Sequence, residues 1–296
     1  GKTQVLQDYN DFVKKIHALI HDTDLDPVSV LGFEQVQPNS AKLSAPLRLD
    51  CALTYRLPEG SDPIDAPTRR VVRELTTAEW QVVMDKAWVA GIPHIVFTGG
   101  EATLRDDLPA LIAHAEKVGQ VTGLLTDGIK LADSVYLESL LQTGLDHLMI
   151  ILPITGEPNW QAITNAVQAD IFLTVHLTIT PNNANTAREM LGKLRKAGVE
   201  NISLSASELS IKKEVLNLRN YAAEINMRLV SDLPVPFSEA HPLAFEAADD
   251  SEPAGAGKTW LYVEPDGDVL PAQGFAEQVL GNVLTDSWEK IYPGSK

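Results

Sequence analysis

Apolar residues recur at helical spacing through residues 4–21. Val5, Leu6, Tyr9, Phe12, Val13, Ile16 and Ile20 share one face there, which predicts an amphipathic helix. Residues 22–45 show no such period and are interrupted by Pro27 and Pro38. Short apolar runs suited to strands then begin near Leu47, His94, Val121, His147, Ile171, Asn201 and Met227. From the second onward they start 24 to 30 residues apart, room each time for a strand, a helix and two loops. The intervening segments carry helical signals. Thr76-Thr77-Ala78-Glu79 fits a capping box, and Trp80, Val83, Met84, Ala87 and Trp88 follow as an expected core stripe before Gly91. Leu108, Leu111, Ile112 and Ala115 repeat the pattern before Gly119, and Ala187, Met190, Leu191, Leu194 and Ala197 before Gly198.

The strand runs are largely apolar, as parallel strands covered by helices are. Right-handed crossovers would place them in one curved sheet, with its ligand face at the carboxyl ends of the strands. The expected fold is therefore α/β, a partial (β/α)6-type TIM barrel over residues 46–237. A helix and irregular lead-in over 1–45 precede it, and an extension over 238–296 follows. Two polar loops break the alternation, at 56–75 and 238–258. After the second, Trp260 to Leu270 reads as a β-hairpin turning at Asp266-Gly267, expected to lie outside the parallel sheet.

Composition narrows the partners. Hydrophobic residues make up 44% of the chain, enough for a sizeable core. The formal charge of −16 repels phosphate backbones and anionic lipid, which argues against nucleic acid and membrane partners. The single cysteine excludes an intrachain disulfide and any CxxC zinc site, and suits a reducing cytoplasm. No apolar stretch has membrane-spanning length and the amino terminus does not read as a signal peptide, so the expected location is cytoplasmic.

Few residues stand out chemically. Thr98-Gly99-Gly100-Glu101 closes an apolar run, either as a tight strand-to-helix turn or as a cradle for a ligand. Cys51 reads as a small buried hydrophobe rather than a reactive thiol. His94, His114, His147 and His176 lack HxH or HExxH spacing and read as structural. Arg105, Asp106 and Asp107 read as partners of a helix start. Tyr55 and Arg56 either fill space or, in the case of Arg56, offer a bidentate anion site.

These residues carry a resemblance. From about 46 to 235 the chain resembles the radical S-adenosylmethionine enzymes, specifically those with a carboxy-terminal SPASM extension. Leu49-Asp50-Cys51-Ala52-Leu53 stands where that family's CxxxCxxC loop leaves the first strand. Thr98 to Leu104 is similar to its glycine–glycine–glutamate motif, and Leu124 to Gly128 to its Thr-Asn-Gly strand end. Glu264 to Ala272 with Leu280-Gly281-Asn282-Val283 resembles the start of a SPASM segment. The resemblance implies S-adenosylmethionine at Thr98, Gly99, Gly100, Glu101, Thr126 and Asp127, with Glu101 accepting from the ligand's ammonium. It also implies a [4Fe–4S] cluster on three cysteines. Here those positions read Cys51, Tyr55 and Pro58, and Ala272 stands in place of the extension's first cysteine. Proline cannot ligate iron, and a phenol is a poor partner for a cluster that prefers thiolates.

Cys51, Tyr55 and Arg56 are thus expected to mark a vacated cluster mouth. Tyr55 would fill space there, and Arg56 would neutralise Glu101. No catalytic residue, no metal and no cluster are expected. The chain is read as a pseudoenzyme-like relative without radical chemistry that binds a small molecule, S-adenosylmethionine or a relative among them, or a peptide, or partners an active homologue. An active radical-type or non-redox enzyme using the same mouth is the alternative.

Overall fold

The structure, a computed structural model, describes residues 2–21, 30–31, 43–61, 71–153, 156–230, 255–275 and 277–293. Most of the two expected polar loops lies outside the described residues. The chain divides into two compact units, residues 1–42 and 43–296. The first contains helix α1 (Lys2–His21), where the apolar period begins.

The second unit opens with β1 (Arg48–Thr54), α2 (Thr77–Ala90) and β2 (His94–Gly99). It continues through α3 (Leu108–Val118), β3 (Val121–Thr126), α4 (Ser134–Leu141), β4 (His147–Ile151), α5 (Trp160–Gln168) and β5 (Phe172–Ile179). Then come α6 (Ala184–Lys196), β6 (Asn201–Ala206), α7 (Lys212–Glu224) and β7 (Arg228–Leu229). β8 (Trp260–Val263), β9 (Asp268–Leu270), β10 (Gly281–Asn282) and α8 (Trp288–Ile291) close the chain. Local chemistry sets the helix ends. At α2 the Thr76 hydroxyl accepts from the Glu79 amide at 3.3 Å, and the Glu79 carboxylate accepts from the Thr76 amide at 2.8 Å. Gly91 then ends α2 in the left-handed conformation.

Among the described residues ten strands form one sheet, in the order β10-β9-β8-β1-β2-β3-β4-β5-β6-β7. From β1 to β7 every neighbouring pair is parallel. This is the open, partial-barrel form of the α/β fold that the pattern implied. Alternate residues divide its faces. Leu49, Cys51, Leu53, Ile95, Phe97, Leu124, Leu148 and Ile150 belong to the large core shared with the helices. On the opposite, inner face Val96, Leu125, Met149 and Ile151 form a smaller cluster, and Ala52, Tyr262 and Leu270 another.

The hairpin expected outside the sheet is part of it. β8 pairs in parallel with β1 from Arg48↔Trp260 to Cys51↔Val263, and β9 and β10 follow in antiparallel order. The strand at the start of the barrel would otherwise leave a row of backbone groups unpaired, and β8 covers that edge. Side chains join in. Arg48 donates to Asp50 at 2.8 Å and lies over the Trp260 ring. Burial raises the Asp50 carboxyl to about 6, against the lowering effect of Arg48.

The stripe on α2 is also only partly core. Trp80 is buried, whereas Trp88 is 45% exposed and lays its ring across Gly119. The histidines have partners. His94 and His147 reach across Gly123 of β3 to bring their Nε2 atoms to 2.6 Å, and burial lowers both rings from the ordinary imidazole range, His94 to about 3. His176 sits among the hydroxyls of Thr178, Ser203 and Ser205. His114 bonds Asp85 at 2.8 Å.

Candidate ligand site at the barrel mouth

The glycine turn is built by close approach of two chains. Beyond a shift in the β1 register, the Gly100 amide donates to the Thr54 carbonyl at 2.8 Å and the Glu101 amide to the Arg56 carbonyl at 2.9 Å. Gly99 has φ +132°, outside the range of ordinary side chains. A Cβ on Gly100 would lie 2.3 Å from the Arg56 carbonyl oxygen, so the turn admits glycine alone at both places. The two glycines therefore serve first to let the 54–56 segment cross the end of β2.

Glu101 is buried, and its carboxylate is fully engaged within the protein. It accepts from the Thr103 amide at 2.9 Å, the Thr126 hydroxyl at 2.8 Å and the Asp127 amide at 2.8 Å. It is a staple between the ends of β2 and β3. Arg56 does not reach it. The Arg56 guanidinium bonds the Thr54 hydroxyl at 3.1 Å, stands 3.9 Å from Glu74 and is 57% exposed. Tyr55 turns the other way, toward β8, and its hydroxyl lies 3.2 Å from both Tyr262 and Glu264. Burial raises both phenols far above their ordinary range, so they stay neutral. Thr54 in turn bonds Glu74.

Cys51 is not at the mouth. It lies in the middle of β1, fully buried among the helix-side core residues, and burial and the Asp50 charge both raise its thiol. The loop that does reach the mouth is the one after β1. Leu57, Pro58 and Ser61 line a cavity of about 380 Å3 there, together with Gly100, Thr126 and Asp127. Ile129, Ile151, Leu152 and Pro153 supply apolar wall, and Glu157 and Asn159 complete it. Of the expected ligand residues, Gly100, Thr126 and Asp127 thus share one cavity. Glu101 sits behind it, and Thr98 is buried with its hydroxyl unpartnered.

Asp127 is the perturbed group of this cavity. One oxygen accepts from the Ile129 amide at 2.8 Å. Burial, then the neighbouring Glu101 charge, push its carboxyl up to about 7. Glu157 and Asn159 escaped the sequence reading. Their signal was only position, just beyond the carboxyl end of β4, where such folds place ligand contacts. Arg105 also matters more than a helix-start residue. It forks onto Asp107 at 2.8 and 2.7 Å and holds the Leu53 and Leu75 carbonyls at 3.1 and 3.0 Å, tying the end of β1 to the segment before α2.

Among the described residues no helix is long and apolar enough to cross a membrane. No family model matches the chain. A protein of Streptomyces rochei named PqqA peptide cyclase is 28% identical over 282 residues, 83% of this chain and 76% of that protein. Streptococcus suis SuiB bound to the precursor peptide SuiA shares the fold with a TM-score of 0.64 at 13% identity. That match covers 84% of this chain but only 65% of SuiB. The structure of anSMEcpe with bound AdoMet matches with a TM-score of 0.62 at 13% identity, over 84% of this chain and 81% of that one. The chain is thus similar in sequence to a protein named PqqA peptide cyclase and shares the fold of SuiB and anSMEcpe.

Proposed function

We propose that the chain binds a small molecule, S-adenosylmethionine or a relative of it, in the mouth cavity, and does so without an iron–sulfur cluster or radical chemistry. One observation carries this reading. A cavity of about 380 Å3 persists at the carboxyl end of the sheet, with Gly100, Thr126 and Asp127 in its wall and no thiol there. The residues present do not fit a [4Fe–4S] cluster. The only cysteine of the chain faces the helix-side core from mid-strand, and the loop beyond β1 offers Tyr55, Arg56, Leu57, Pro58, Glu59, Gly60 and Ser61. A cubane needs several thiolates at one point, and one buried thiol kept protonated supplies none.

A peptide is the second reading. The names of the relatives favour it, since SuiB is seen with a precursor peptide and the Streptomyces protein is named for one. Partnership with an active homologue is compatible with either reading.

The test has two arms. The protein is purified anaerobically, treated with iron and sulfide, and assayed for both. Little iron, and no broad visible absorption, is expected. Calorimetry on the untreated chain then uses S-adenosylmethionine and S-adenosylhomocysteine. Weak binding, with Kd on the order of 0.1–1 mM, is expected because no metal anchors the ligand. About four irons per chain would overturn the cluster-free reading, and absence of heat with either ligand would overturn the ligand assignment.

A further inference from the structure

Two histidines stand apart from the mouth. His94 and His147 open β2 and β4, at the amino-terminal end of the parallel sheet, whereas the mouth lies at its carboxyl end. The strand between them is β3, where Gly123 pairs with His147. A Cβ on Gly123 would lie 2.0 Å from the His147 Cε1 atom, so the missing side chain provides the slot that the ring occupies. Both rings share the inner face with Val96, Leu125 and Met149. Their planes meet edge-on, with centroids 4.8 Å apart, and their Nε2 atoms converge to 2.6 Å. That is inside the usual range of about 2.7–3.2 Å for a hydrogen bond from an N–H group. A cavity of about 340 Å3 opens beside the pair, walled by Val96, Leu125, Met149 and Phe172, with Asp146 at its edge. Neither ring is fully buried, so a solute has a path to them.

From this convergence we infer that His94 and His147 form a binding site for a borderline divalent metal ion, Zn2+, Ni2+ or Cu2+, held by the two Nε2 atoms. The site is separate from the ligand cavity at the mouth and does not depend on it. In the pair as it stands, one ring donates an Nε2 proton and the other accepts it. A metal ion instead accepts both lone pairs at once, with each ring keeping its proton on Nδ1. Imidazole nitrogen suits these ions, and neutral imidazole is the form that ligates them. Burial keeps both rings in that form. With Zn–N bonds of about 2.0–2.1 Å at tetrahedral angles, the nitrogens need to part to about 3.3 Å, a small ring rotation that the adjoining cavity leaves room for. The surrounding charge permits a cation. Arg48 acts on both rings, but it is paired with Asp50 at 2.8 Å, and Asp146 places a carboxylate next to His147. Water would complete the coordination. The ion would clasp β2 to β4 across the strand that separates them.

The test is calorimetry of the full chain, first stripped with a chelator, against zinc chloride and nickel chloride. It compares the wild type with His94→Gln, His147→Gln and the double variant His17→Gln/His21→Gln. The double variant is needed because His17 and His21, exposed and one turn apart on α1 with ring centroids 4.3 Å apart, are a second pair able to chelate. A single ion per chain is expected to bind the wild type and the double variant alike. His94→Gln and His147→Gln should each weaken it by at least about tenfold, the loss that changes behind a metal's ligands already cause. Should either of these variants fail to fold by circular dichroism, X-ray absorption of the zinc-loaded double variant decides. Two imidazole nitrogens at about 2.0–2.1 Å are then expected. The acidic group Glu264, Asp266 and Asp268 would show itself as an all-oxygen shell, which would overturn the inference. So would unchanged affinity in both His94→Gln and His147→Gln, loss of binding in the double variant, or absence of heat with either ion.

Discussion

A Cβ on Gly99 would stand 2.1 Å from the Thr54 carbonyl oxygen, so the turn after β2 can exist only while that position has no side chain. The obstacle is backbone, which cannot swing aside, and the φ of +132° adds its own cost to any other residue. Gly99→Ala should therefore destabilise by about 2–4 kcal/mol, or prevent folding. Chemical denaturation of Gly99→Ala against Gly60→Ala separates the causes. Gly60 also has positive φ but open space around its Cβ, so its variant should lose far less.

Glu101 is a structural staple in this turn. Glu101→Ala removes the acceptor for the Thr103 amide, the Thr126 hydroxyl and the Asp127 amide. Leaving such donors unsatisfied costs about 1–3 kcal/mol each where water cannot replace the carboxylate. A loss of about 3 kcal/mol in urea-measured stability is expected. A change below about 0.5 kcal/mol would mean that the staple is not formed.

Asp127 predicts a pH dependence with a definite sign. Its carboxyl is raised from 3.8 to about 7, so between these values the folded protein holds a proton that the unfolded chain has released. Its contribution to stability is full below pH 3.8 and is lost as pH rises through 7. Asp127→Asn should remove this slope and stabilise the protein at pH 8 by about 1–2 kcal/mol, with the partial exposure of the group discounted. Urea midpoints of both proteins across pH 5 to 8 check it, and parallel curves would contradict the assignment.

Cys51 should be chemically silent in the native state. It is fully buried, and burial and Asp50 both hold its thiol protonated. Ellman's reagent should find no reactive thiol in folded protein and one in denaturant. Fast labelling without denaturant would place Cys51 in an accessible mouth instead.

The carboxy-terminal hairpin should be indispensable for folding. Truncation before residue 255 strips β8 from β1 along four residue pairs and removes Leu261, Val263 and Val269 from the core they share with Leu49 and Cys51. The truncated chain should be insoluble or should lose its cooperative thermal transition. A truncated protein that melts cooperatively near the full-length midpoint would show that the hairpin is dispensable.

The sequence by itself determined the strands and helices of the barrel. His94, Val121, His147 and Asn201 open strands where apolar, β-branched runs begin, and the Thr76–Glu79 box opens α2, because these signals are local. It also limited the chain to one thiol, which no folding can multiply. The turn at Gly99-Gly100-Glu101 was visible as well, as a tight strand-to-helix turn or a ligand cradle, whereas the burial of Glu101 and the crossing of the 54–56 segment were not. Tertiary structure decided the rest. Cys51 faces away from the mouth because side chains alternate along β1 and Leu49 and Leu53 commit that parity to the helices. β8 joins β1 more than two hundred residues after it, a pairing set by the open edge of the sheet and by no local pattern. Glu101 is spent inside the protein, and Asp127 and Glu157 line one cavity, only because parallel strands bring their carboxyl ends to one side. Local propensity fixes an element's type, but which groups confront one another depends on contacts between residues far apart in the chain, and those are made only when the whole sheet closes.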